Sequence, residues 1–388
     1  MFKGLKVRIF PTPEQEILIK KHIGCCRYLY NYMLEYNNTQ YETFGISTSQ
    51  YDMIRQVTVV KRDGQHDWLS EVSIVSLQRT CTDLANAYKR FFHKVSNKPK
   101  FKSKRTAKET FPIDSANLYF MPDFVRIAKL GKVKYQTNLF IPTGKGNHFT
   151  NGRISRQGKK WILSISLECE NQAYQLTDKP MGIDLGVKEL AVVALGDSKF
   201  VFHNINKSPR VLALEAKLKF LQRSLNRKYE VGKKRHPEDP WQKSRNIVKC
   251  EDRIRKMYRK LTNIRLNYTH QVTHALVSML PCVIGMETID VLGLLKNKHL
   301  AESIQKQSFH EFGRQMQYKC ANRGIVLIKA DRFYPSSKTC SNCGHIKQDL
   351  MLSDRTYECK ECGLRMDRDY NAARNLAKYA TLHLSVTH

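Results

Sequence analysis

The chain has 388 residues, of which 41% are hydrophobic and 10% aromatic, and its 66 Lys and Arg against 35 Asp and Glu give a formal net charge of +31. This length suffices for two or three domains, and the hydrophobic content excludes a disordered polycation. No run of about 18 apolar residues occurs and the N-terminus has no apolar segment, so neither a membrane-spanning helix nor a secretory signal is expected.

The high positive charge indicates a polyanionic partner. Basic residues are distributed over the whole chain and lie among aromatic residues, which favours nucleic acid over an anionic membrane surface.

Of the 11 cysteines, seven are scattered and four form two Cys-x-x-Cys pairs, as is typical of a reducing compartment with one metal site. We therefore expect a cytoplasmic protein that binds nucleic acid and has no membrane partner.

A strand and a helical module are predicted at the start of the chain. Residues 5–10 alternate apolar and basic side chains, as a half-buried strand does. Thr12, Pro13 and Gln15 have the spacing of a capping box with proline in the first turn. Two apolar helix faces follow, formed by Ile19, Ile23, Cys26, Tyr30 and Met33 and by Leu77, Cys81, Leu84, Tyr88, Phe91 and Val95. We assign residues 15–96 to this helical module.

A β-rich segment follows a basic linker at residues 96–105. The apolar period changes to two, most clearly over residues 161–167. The strand at residues 5–10 can complete this sheet or barrel. We therefore assign residues 1–14 and 97–177 to one β domain into which the helical module is inserted.

A second set of strands carries a buried acid. Residues 181–187 are predicted to form an apolar strand with Asp184 in its middle, and residues 190–195 and 199–203 to form two further strands around a turn. A hairpin-rich sheet that opens with an acid on its first strand is typical of RNase H-like nuclease folds.

Residues 207–265 contain 19 Lys and Arg against 6 Asp and Glu. Two leucine- and isoleucine-rich seams at helical spacing flank a breaker at residues 236–240, which predicts two antiparallel helices that are basic on the outside. Solubility alone requires less positive charge than this, so a nucleic-acid surface is favoured over a merely solvated hairpin.

Two Cys-x-x-Cys pairs predict a metal site. Cys340 and Cys343 are separated by fifteen residues from Cys359 and Cys362, and a glycine follows each pair. Four thiolates form a closed tetrahedral site, so the expected ion is a structural Zn²⁺.

Three acids in distinctive settings predict a second metal site. Glu287 lies in an apolar strand at residues 283–289, and Asp369 begins a helix. A carboxylate within an apolar strand is costly unless it is paired, so Asp184, Glu287 and Asp369 are expected to share a cation. Mg²⁺ suits such ligands, and two ions about 4 Å apart can activate water and stabilise the leaving oxygen of a phosphodiester.

With these motifs, the chain resembles the TnpB proteins of insertion sequences, which are similar to the miniature type V CRISPR effectors. The resemblance covers nearly the whole chain. The segments that carry it are residues 6–12, 14–15, 99–104, 182–186, 286–287, 336–344 and 367–373.

The resemblance implies a multidomain α+β fold. In it, residues 1–14 and 97–177 would form a wedge β-barrel and residues 15–96 the inserted helical recognition module. Residues 178–388 would form a RuvC-like (RNase H-like) α/β nuclease. That nuclease would contain the basic helical insertion 207–265 and a zinc ribbon at residues 336–366.

The resemblance also implies the activity of a transposon-encoded RNA-guided DNA endonuclease. The RuvC acids of the family would be Asp184, Glu287 and Asp369, and Asp369 is preferred over Asp367 because it directly precedes a Tyr-Asn-Ala-Ala sequence. A noncoding guide RNA, a double-stranded DNA target with a short adjacent motif, catalytic Mg²⁺ and structural Zn²⁺ are the implied partners and cofactors. A monomeric ribonucleoprotein associated with a prokaryotic nucleoid is expected.

Three alternatives stay open. These are a transposase or its accessory protein, a guided DNA-binding regulator that does not cut, and a CRISPR-associated miniature effector with the same chemistry. A transposase needs DNA ends with 3′ hydroxyls, whereas guided cleavage needs RNA. At the level of single residues, Ser308–His310 and Arg374 can contact phosphate or merely lie on helix surfaces, and Tyr334 is a candidate stacking residue.

Overall fold

Residues 2–170, 173–235, 243–297, 301–351 and 353–384 are described in a computed structural model of the chain. The contacts divide the chain at residue 170 into two compact units. Both units combine helices with a sheet, so the architecture is multidomain α+β, as predicted. None of the described helices contains a stretch long and apolar enough to cross a membrane.

The first unit begins with one strand and a group of helices. They are β1 (Phe2–Phe10), α1 (Pro13–Phe44), α2 (Gln50–Lys61), a 3₁₀ turn (Asp67–Glu71) and α3 (Ile74–Phe92). The predicted capping box is present, because Thr12 and Gln15 each accept a hydrogen bond from the other residue's backbone N–H. All five residues of the first predicted helix face are buried.

The second predicted face is correct only in part. Leu77, Cys81, Leu84 and Tyr88 are buried on α3, but Val95 lies beyond the end of the helix and is 65% exposed. Helix α2 was not predicted from the sequence, although its three buried residues, Met53, Val57 and Val60, have helical spacing. The spacing of these three apolar residues, four and then three positions apart, was the signal that could have indicated a helix here.

A seven-stranded sheet completes the first unit. Its strands after β1 are β2 (Thr110–Pro112), β3 (Tyr119–Phe120), β4 (Phe124–Ile127), β5 (Gly131–Gln136), β6 (Phe149–Gln157) and β7 (Lys160–Glu168). Their order is β2-β6-β7-β1-β5-β4-β3. β1 therefore lies in the centre, antiparallel to β7 and β5, which confirms that the first strand of the chain completes the sheet formed by the later segment.

A five-stranded sheet forms the centre of the second unit. It contains β8 (Met181–Leu185), β9 (Glu189–Leu195), β10 (Ser198–His203), β11 (Val283–Glu287) and β12 (Val326–Ala330). The order is β10-β9-β8-β11-β12, in which β8, β11 and β12 are parallel and β9 and β10 antiparallel. Because β8, β11 and β12 run in one direction, their carboxyl ends lie at the same edge of the sheet.

Helices cover both faces of this sheet. Those of the second unit are α4 (Pro209–Arg235), α5 (Arg245–Ser278), α6 (Val291–Leu295), α7 (Ala301–Gln307), α8 (Phe309–Ala321) and α9 (Arg368–Leu384), with a 3₁₀ turn at Ile205–Lys207. Met181, Ile183 and Ile284 belong to one apolar cluster with side chains of α5 and α8. Gly182 and Gly285 alternate with them along the strands and face α9, so α9 lies on the opposite face.

Helix α9 approaches the sheet at backbone distance. A Cβ on Gly182 would lie 1.8 Å from the carbonyl oxygen of Ala373, and one on Gly285 would lie 2.0 Å from that of Leu376. No side chain can occupy such a space, so glycine at these two strand positions permits the close packing of α9. The small residues Ala372 and Ala373 contribute to the same contact and are buried.

Helices α4 and α5 form the predicted antiparallel pair. Hydrogen bonds join Tyr229 to Glu251, and Gln222 to Tyr258, so the pairing runs in opposite directions along the two helices. The predicted seams form one apolar cluster around Leu218, Leu221, Cys250, Ile254 and Leu261. The predicted breaker at residues 236–240 lies outside the described residues.

Helix α5 is longer than the sequence pattern predicted. It continues past residue 265 to Ser278, and its last turns carry Val272 and Leu276 into the core of the second sheet. The same helix thus belongs to the basic hairpin at one end and to the sheet at the other.

Candidate active site and cysteine cluster

The three predicted acids lie on three different elements of the second unit. Asp184 is the fourth residue of β8, Glu287 is the last residue of β11, and Asp369 lies in the first turn of α9. All three side chains are half-buried. The predicted strands and helix that carry them are confirmed, with β11 ending at Glu287 rather than continuing to residue 289.

Strand register brings Asp184 and Glu287 to the same place. Met181, Gly182 and Ile183 of β8 pair in sequence with Ile284, Gly285 and Met286 of the parallel strand β11. One step further along this register, Glu287 lies beside Asp184, and both project to the face that α9 covers. Because α9 begins at Arg368, its first turn adds Asp369 to the pair.

The electrostatics show that these carboxylates share one environment. Burial raises the pKa of Asp184 well above its usual value, and repulsion from Glu287 and Asp369 raises it further. Burial raises the pKa of Glu287 to about 7, against the effect of a hydrogen bond from the Leu185 backbone N–H, and repulsion from Asp369 adds to this rise. Two buried acids whose ionisation is opposed by neighbouring carboxylates are an arrangement that a shared cation stabilises.

Asp367 has a different role from Asp369. Its carboxylate accepts a hydrogen bond of 2.9 Å from the backbone N–H of Tyr370, which caps the start of α9, and it lies 3.3 Å from Lys199. Asp369 lies 3.4 Å from Arg368. The contacts of Asp367 are those of a helix cap with a surface ion pair.

The donor set at the acids fits a divalent cation. Among the described residues, no Lys or Arg lies within 4.0 Å of Asp184 or Glu287, and Arg368 is the cation closest to Asp369. Over the same part of the chain, the three carboxylates do not meet within the 4.8 Å that joins the ligand atoms of a single closed site. Carboxylates can hold two ions about 4 Å apart whose further ligands are water and phosphate oxygens.

The four predicted cysteines do form a closed cluster. The sulfurs of Cys340, Cys343, Cys359 and Cys362 all lie within 4.8 Å of one another. Cys340 Sγ is 3.6 Å from Cys362 Sγ, and Cys343 Sγ is 3.6 Å from Cys359 Sγ. A tetrahedral zinc with bonds of about 2.3 Å requires sulfurs about 3.8 Å apart, so the geometry fits Zn²⁺.

Two equivalent turns shape the cysteine cluster. The backbone N–H of Gly344 donates to Cys340 and that of Gly363 to Cys359, each at 3.0 Å. Both glycines that follow the pairs have left-handed φ angles, 80° for Gly344 and 68° for Gly363. A short hairpin of β13 (Thr356–Glu358) and β14 (Arg365–Asp367) and the buried Tyr357 complete this small element.

Helix α9 holds the cysteine element against the sheet. The side chain of Asn371 accepts from the backbone N–H of Ser341 at 2.9 Å and donates to the carbonyl of Thr339 at 2.7 Å. One turn later, Asn375 donates to the carbonyls of Ser336 and Thr339 at 2.8 and 2.6 Å. The Asn-Ala-Ala-Arg-Asn sequence therefore uses its asparagines for the cysteine element and its alanines for the sheet, while Asp369 stands at the head of the same helix.

A basic groove lies on the helical pair. It has a volume of about 670 Å³, and its lining includes Arg210, Lys256, Arg259 and Lys260 together with amide side chains such as Asn263. These residues lie on one face of α5 and at the start of α4. Guanidinium and ammonium groups next to amides are suited to phosphates and nucleobase or sugar edges.

The remaining candidates have mixed outcomes. Tyr334 is half-buried and packs against Tyr379, with its hydroxyl donating to the Asn375 carbonyl at 3.4 Å, and its role in stacking a base stays a prediction. His310 is exposed on α8, and Arg374 is half-buried on α9. The sequence did not indicate Lys329 or Leu185, because a single Lys on an edge strand and a backbone N–H leave no pattern.

Three family models match the chain along its length. A helix-turn-helix domain of the OrfB type of IS605 elements matches residues 1–45, the "Probable transposase" OrfB of the same elements matches residues 164–298, and a "Cas12f1-like, TNB domain" matches residues 309–376. Each matches its own segment, and together they span both units.

Two relatives and one solved structure are similar to the chain over nearly its whole length. Two relatives are called "Putative RNA-guided DNA endonuclease", and each is 28% identical to the chain over 96% of the chain. The relative from Streptomyces pristinaespiralis is covered over 88% of its own length. The relative from Escherichia coli K12, InsQ, is covered over 91% of its own length. The Cas12f1 protein in a complex with guide RNA and target DNA aligns over 97% of the chain and 98% of its own length, with a TM-score of 0.60 at 14% identity. The fold is thus that of a multidomain α+β protein similar to Cas12f1. Together, the family models and these relatives support the assignment of the chain to the TnpB family.

Proposed function

We propose that the protein is a transposon-encoded RNA-guided DNA endonuclease with one metal-dependent site formed by Asp184, Glu287 and Asp369. The observation that carries this proposal is the convergence of three neighbouring carboxylates at one edge of a sheet, where burial and repulsion raise the pKa of Asp184 and Glu287. The two relatives named as RNA-guided DNA endonucleases support the same reaction. The substrate would be double-stranded DNA that pairs with a noncoding guide RNA.

The finer domain assignment follows from this function. In our proposal, residues 178–388 are a RuvC-like nuclease, with the helical pair 207–265 and the zinc ribbon 336–366 as insertions. The seven-stranded sheet, in residues 1–14 and 97–177, would be the wedge barrel, and residues 15–96 the recognition module. The strand order of each sheet and the helices between β1 and β2 support this division.

The residues of the candidate active site have separate tasks in the proposed reaction. Asp184, Glu287 and Asp369 would hold the divalent ions through their carboxylates, and the Leu185 N–H keeps Glu287 oriented. Bound Mg²⁺ ions supply activation of water and stabilisation of charge on the leaving oxygen. Gly182 and Gly285 let α9 approach closely enough to bring Asp369 to the other two acids.

The cysteine cluster would have a structural task. Four sulfurs in a closed tetrahedral arrangement leave no position for substrate, so Zn²⁺ there would stabilise the ribbon. Through Asn371 and Asn375, the ribbon is connected to the helix that carries Asp369. The basic groove on α5 would bind the phosphates of guide RNA or of the RNA–DNA duplex.

The test uses the ribonucleoprotein purified after expression with its flanking DNA. Its RNA is sequenced, and a target matching the guide is presented with a randomised flank and Mg²⁺. We expect cleavage by the wild type, target binding without cleavage by Asp184→Ala, and normal cleavage by Asp197→Ala, which removes an exposed acid from a turn of the same sheet.

Two outcomes would contradict the proposal. Cleavage by Asp184→Ala at the wild-type rate would remove the acids from the reaction. Activity that survives removal of the RNA before the target is added, or that joins DNA ends, would favour the transposase alternative.

A further inference from the structure

A cavity of about 400 Å³ opens beside Glu287 at the carboxyl edge of the parallel strands. One wall is helix α8, on which His310 and Arg314 lie one turn apart. The other wall follows the ends of β11 and β12 and includes Asp290 and Lys329. The cavity is thus continuous with one of the three acids but is built mainly by residues outside the acid cluster.

Apart from Glu287, which belongs to the acid cluster, one charged residue of the cavity lining is an unpaired cation. Arg314 is held by Glu311 through two hydrogen bonds of 2.8 and 2.7 Å, and Asp290 by Arg332 at 2.6 Å. Lys329 is exposed, and among the described residues no carboxylate lies within 4.0 Å of it. Its ammonium group is therefore available for an anion.

The start of α8 adds to this charge. Phe309 and His310, its first two residues, both line the cavity. Ser308 precedes them with a left-handed φ of 57° and makes no side-chain cap hydrogen bond. The first-turn N–H groups and the helix dipole thus present partial positive charge to the cavity without a side-chain cap to balance it.

Apart from the uncharged polar residues Thr288 and Gln317, the rest of the lining is apolar. Leu185, Met286, Ile289 and Phe309 contribute side chains, and Gly313 of α8 contributes none. A Cβ at Gly313 would be 3.7 Å from Met286 Cε, so the missing side chain leaves space open beside the apolar lining. An apolar lining next to an unbalanced cation is complementary to a ligand with a flat base and a phosphate.

We propose that this cavity binds the nucleotide adjacent to the scissile phosphodiester in the DNA strand that is cut. Its base lies on the apolar lining, and Lys329 and the start of α8 bind its phosphate. This inference rests on the proposed endonuclease function and adds a subsite to it. Lys329 positions the strand and takes no part in the chemical step.

The test combines a variant with a modified substrate. Lys329→Ala is compared with Lys179→Ala, an exposed lysine before β8 at the opposite edge of the same sheet. Targets carry a neutral methylphosphonate at one position at a time around the cut site. We expect Lys329→Ala to cut unmodified target about tenfold more slowly, because it loses one hydrogen bond from a charged group to the phosphate. Target binding is expected to be unchanged.

The modified targets identify the contact. We expect one methylphosphonate position next to the cut site to slow the wild type and Lys179→Ala about tenfold but to leave Lys329→Ala unaffected. A second variant, Gly313→Leu, places a bulky side chain in the cavity and is expected to abolish cleavage while target binding and zinc content stay normal.

Each other result overturns the inference. If Lys329→Ala cuts like the wild type, or stays sensitive to every methylphosphonate, Lys329 does not contact the strand although the endonuclease function stands. If Gly313→Leu cuts normally, the cavity holds no nucleotide. If no variant cleaves and the wild type does not cleave either, the inference falls together with the proposed function.

Discussion

Single residues at the candidate site are held by a polar network that reaches into the core. Gln315 donates to Glu311 at 2.9 Å and accepts from Thr273 at 2.9 Å, and Lys319 donates to the same threonine at 2.6 Å. This chain of contacts connects α8 to α5 behind the cavity. Because Gln315 is fully buried, its partners must all be present for the network to be stable.

Glu311 makes part of this network dependent on pH. Hydrogen bonds from Arg314, and then from Gln315, lower the pKa of Glu311 from 4.5 to about 2. A carboxylate with a lowered pKa stabilises the folded state above its unfolded pKa, and this stabilisation is lost as pH falls toward the folded value. The contribution is at most about 3 kcal/mol, and less because Arg314 is exposed to solvent.

We therefore expect Glu311→Gln to lower the unfolding free energy at neutral pH by about 1 kcal/mol and to have no effect near pH 2. Urea denaturation of the metal-free protein at several pH values measures this difference, because protonation of the cysteine and carboxylate ligands would otherwise release metal at low pH. Glu302→Gln, an exposed acid paired with Lys306, is the control. A difference between Glu311→Gln and the wild type that is constant with pH would contradict the assignment.

At the scale of elements, the packing of α9 on β8 and β11 determines where the acids meet. The helix backbone occupies the space that side chains at Gly182 and Gly285 would need. We expect Gly182→Ala to lower the unfolding free energy by about 3 kcal/mol or more, because a backbone atom cannot move aside as a side-chain end can. Gly313→Ala meets only an ordinary contact of 3.7 Å and should be neutral or slightly stabilising. Equal stability of both variants in thermal unfolding would contradict this packing.

The cysteine element depends on its metal because it has few apolar residues of its own. Tyr357, with Leu350 and Leu364, forms its small core. We expect Cys343→Ser to lose zinc on purification and to expose the ribbon to protease, since metal binding contributes the folding energy of such elements. Metal analysis measures the loss, and Cys282→Ser, at a cysteine outside the cluster, should retain one zinc per chain. A full zinc content in Cys343→Ser would refute the site.

Local patterns predicted most elements of this fold, and long-range contacts were beyond them. The capping box at Thr12 and the apolar face of α1 follow from spacing within a few residues. The end of α5 did not, because its last turns are stabilised by the sheet rather than by the α4 seam. Asp184 and Glu287 were recognisable because an acid in an apolar strand needs a partner. The neighbouring Lys329 was not, because its surroundings come from α8, about 15 residues away.

At the scale of the whole molecule, the net charge of +31 requires that binding of nucleic acid be sensitive to salt. The basic groove of α4 and α5 supplies part of this effect. We expect the triple variant Arg210→Ala, Arg259→Ala and Lys260→Ala to reduce the slope of log affinity against log salt for guide RNA by about 2. Fluorescence anisotropy at several salt concentrations measures the slope.

Two basic residues that already form ion pairs with carboxylates serve as the control for the salt experiment. Lys20 and Arg55 each lie within 4.0 Å of a carboxylate, Glu16 and Asp52. The double variant Lys20→Ala and Arg55→Ala should therefore leave the slope nearly unchanged. If both sets of substitutions change the slope equally, the groove has no special role.

The central claim is that Asp184, Glu287 and Asp369 share divalent ions. The most direct measurement is an anomalous difference map from crystals of the protein grown with Mn²⁺ in place of Mg²⁺. We expect one or two manganese peaks within about 2.3 Å of oxygens from all three acids, and a separate zinc peak at the four cysteines as an internal standard. A clear zinc peak with no manganese density between the three carboxylates would contradict the account.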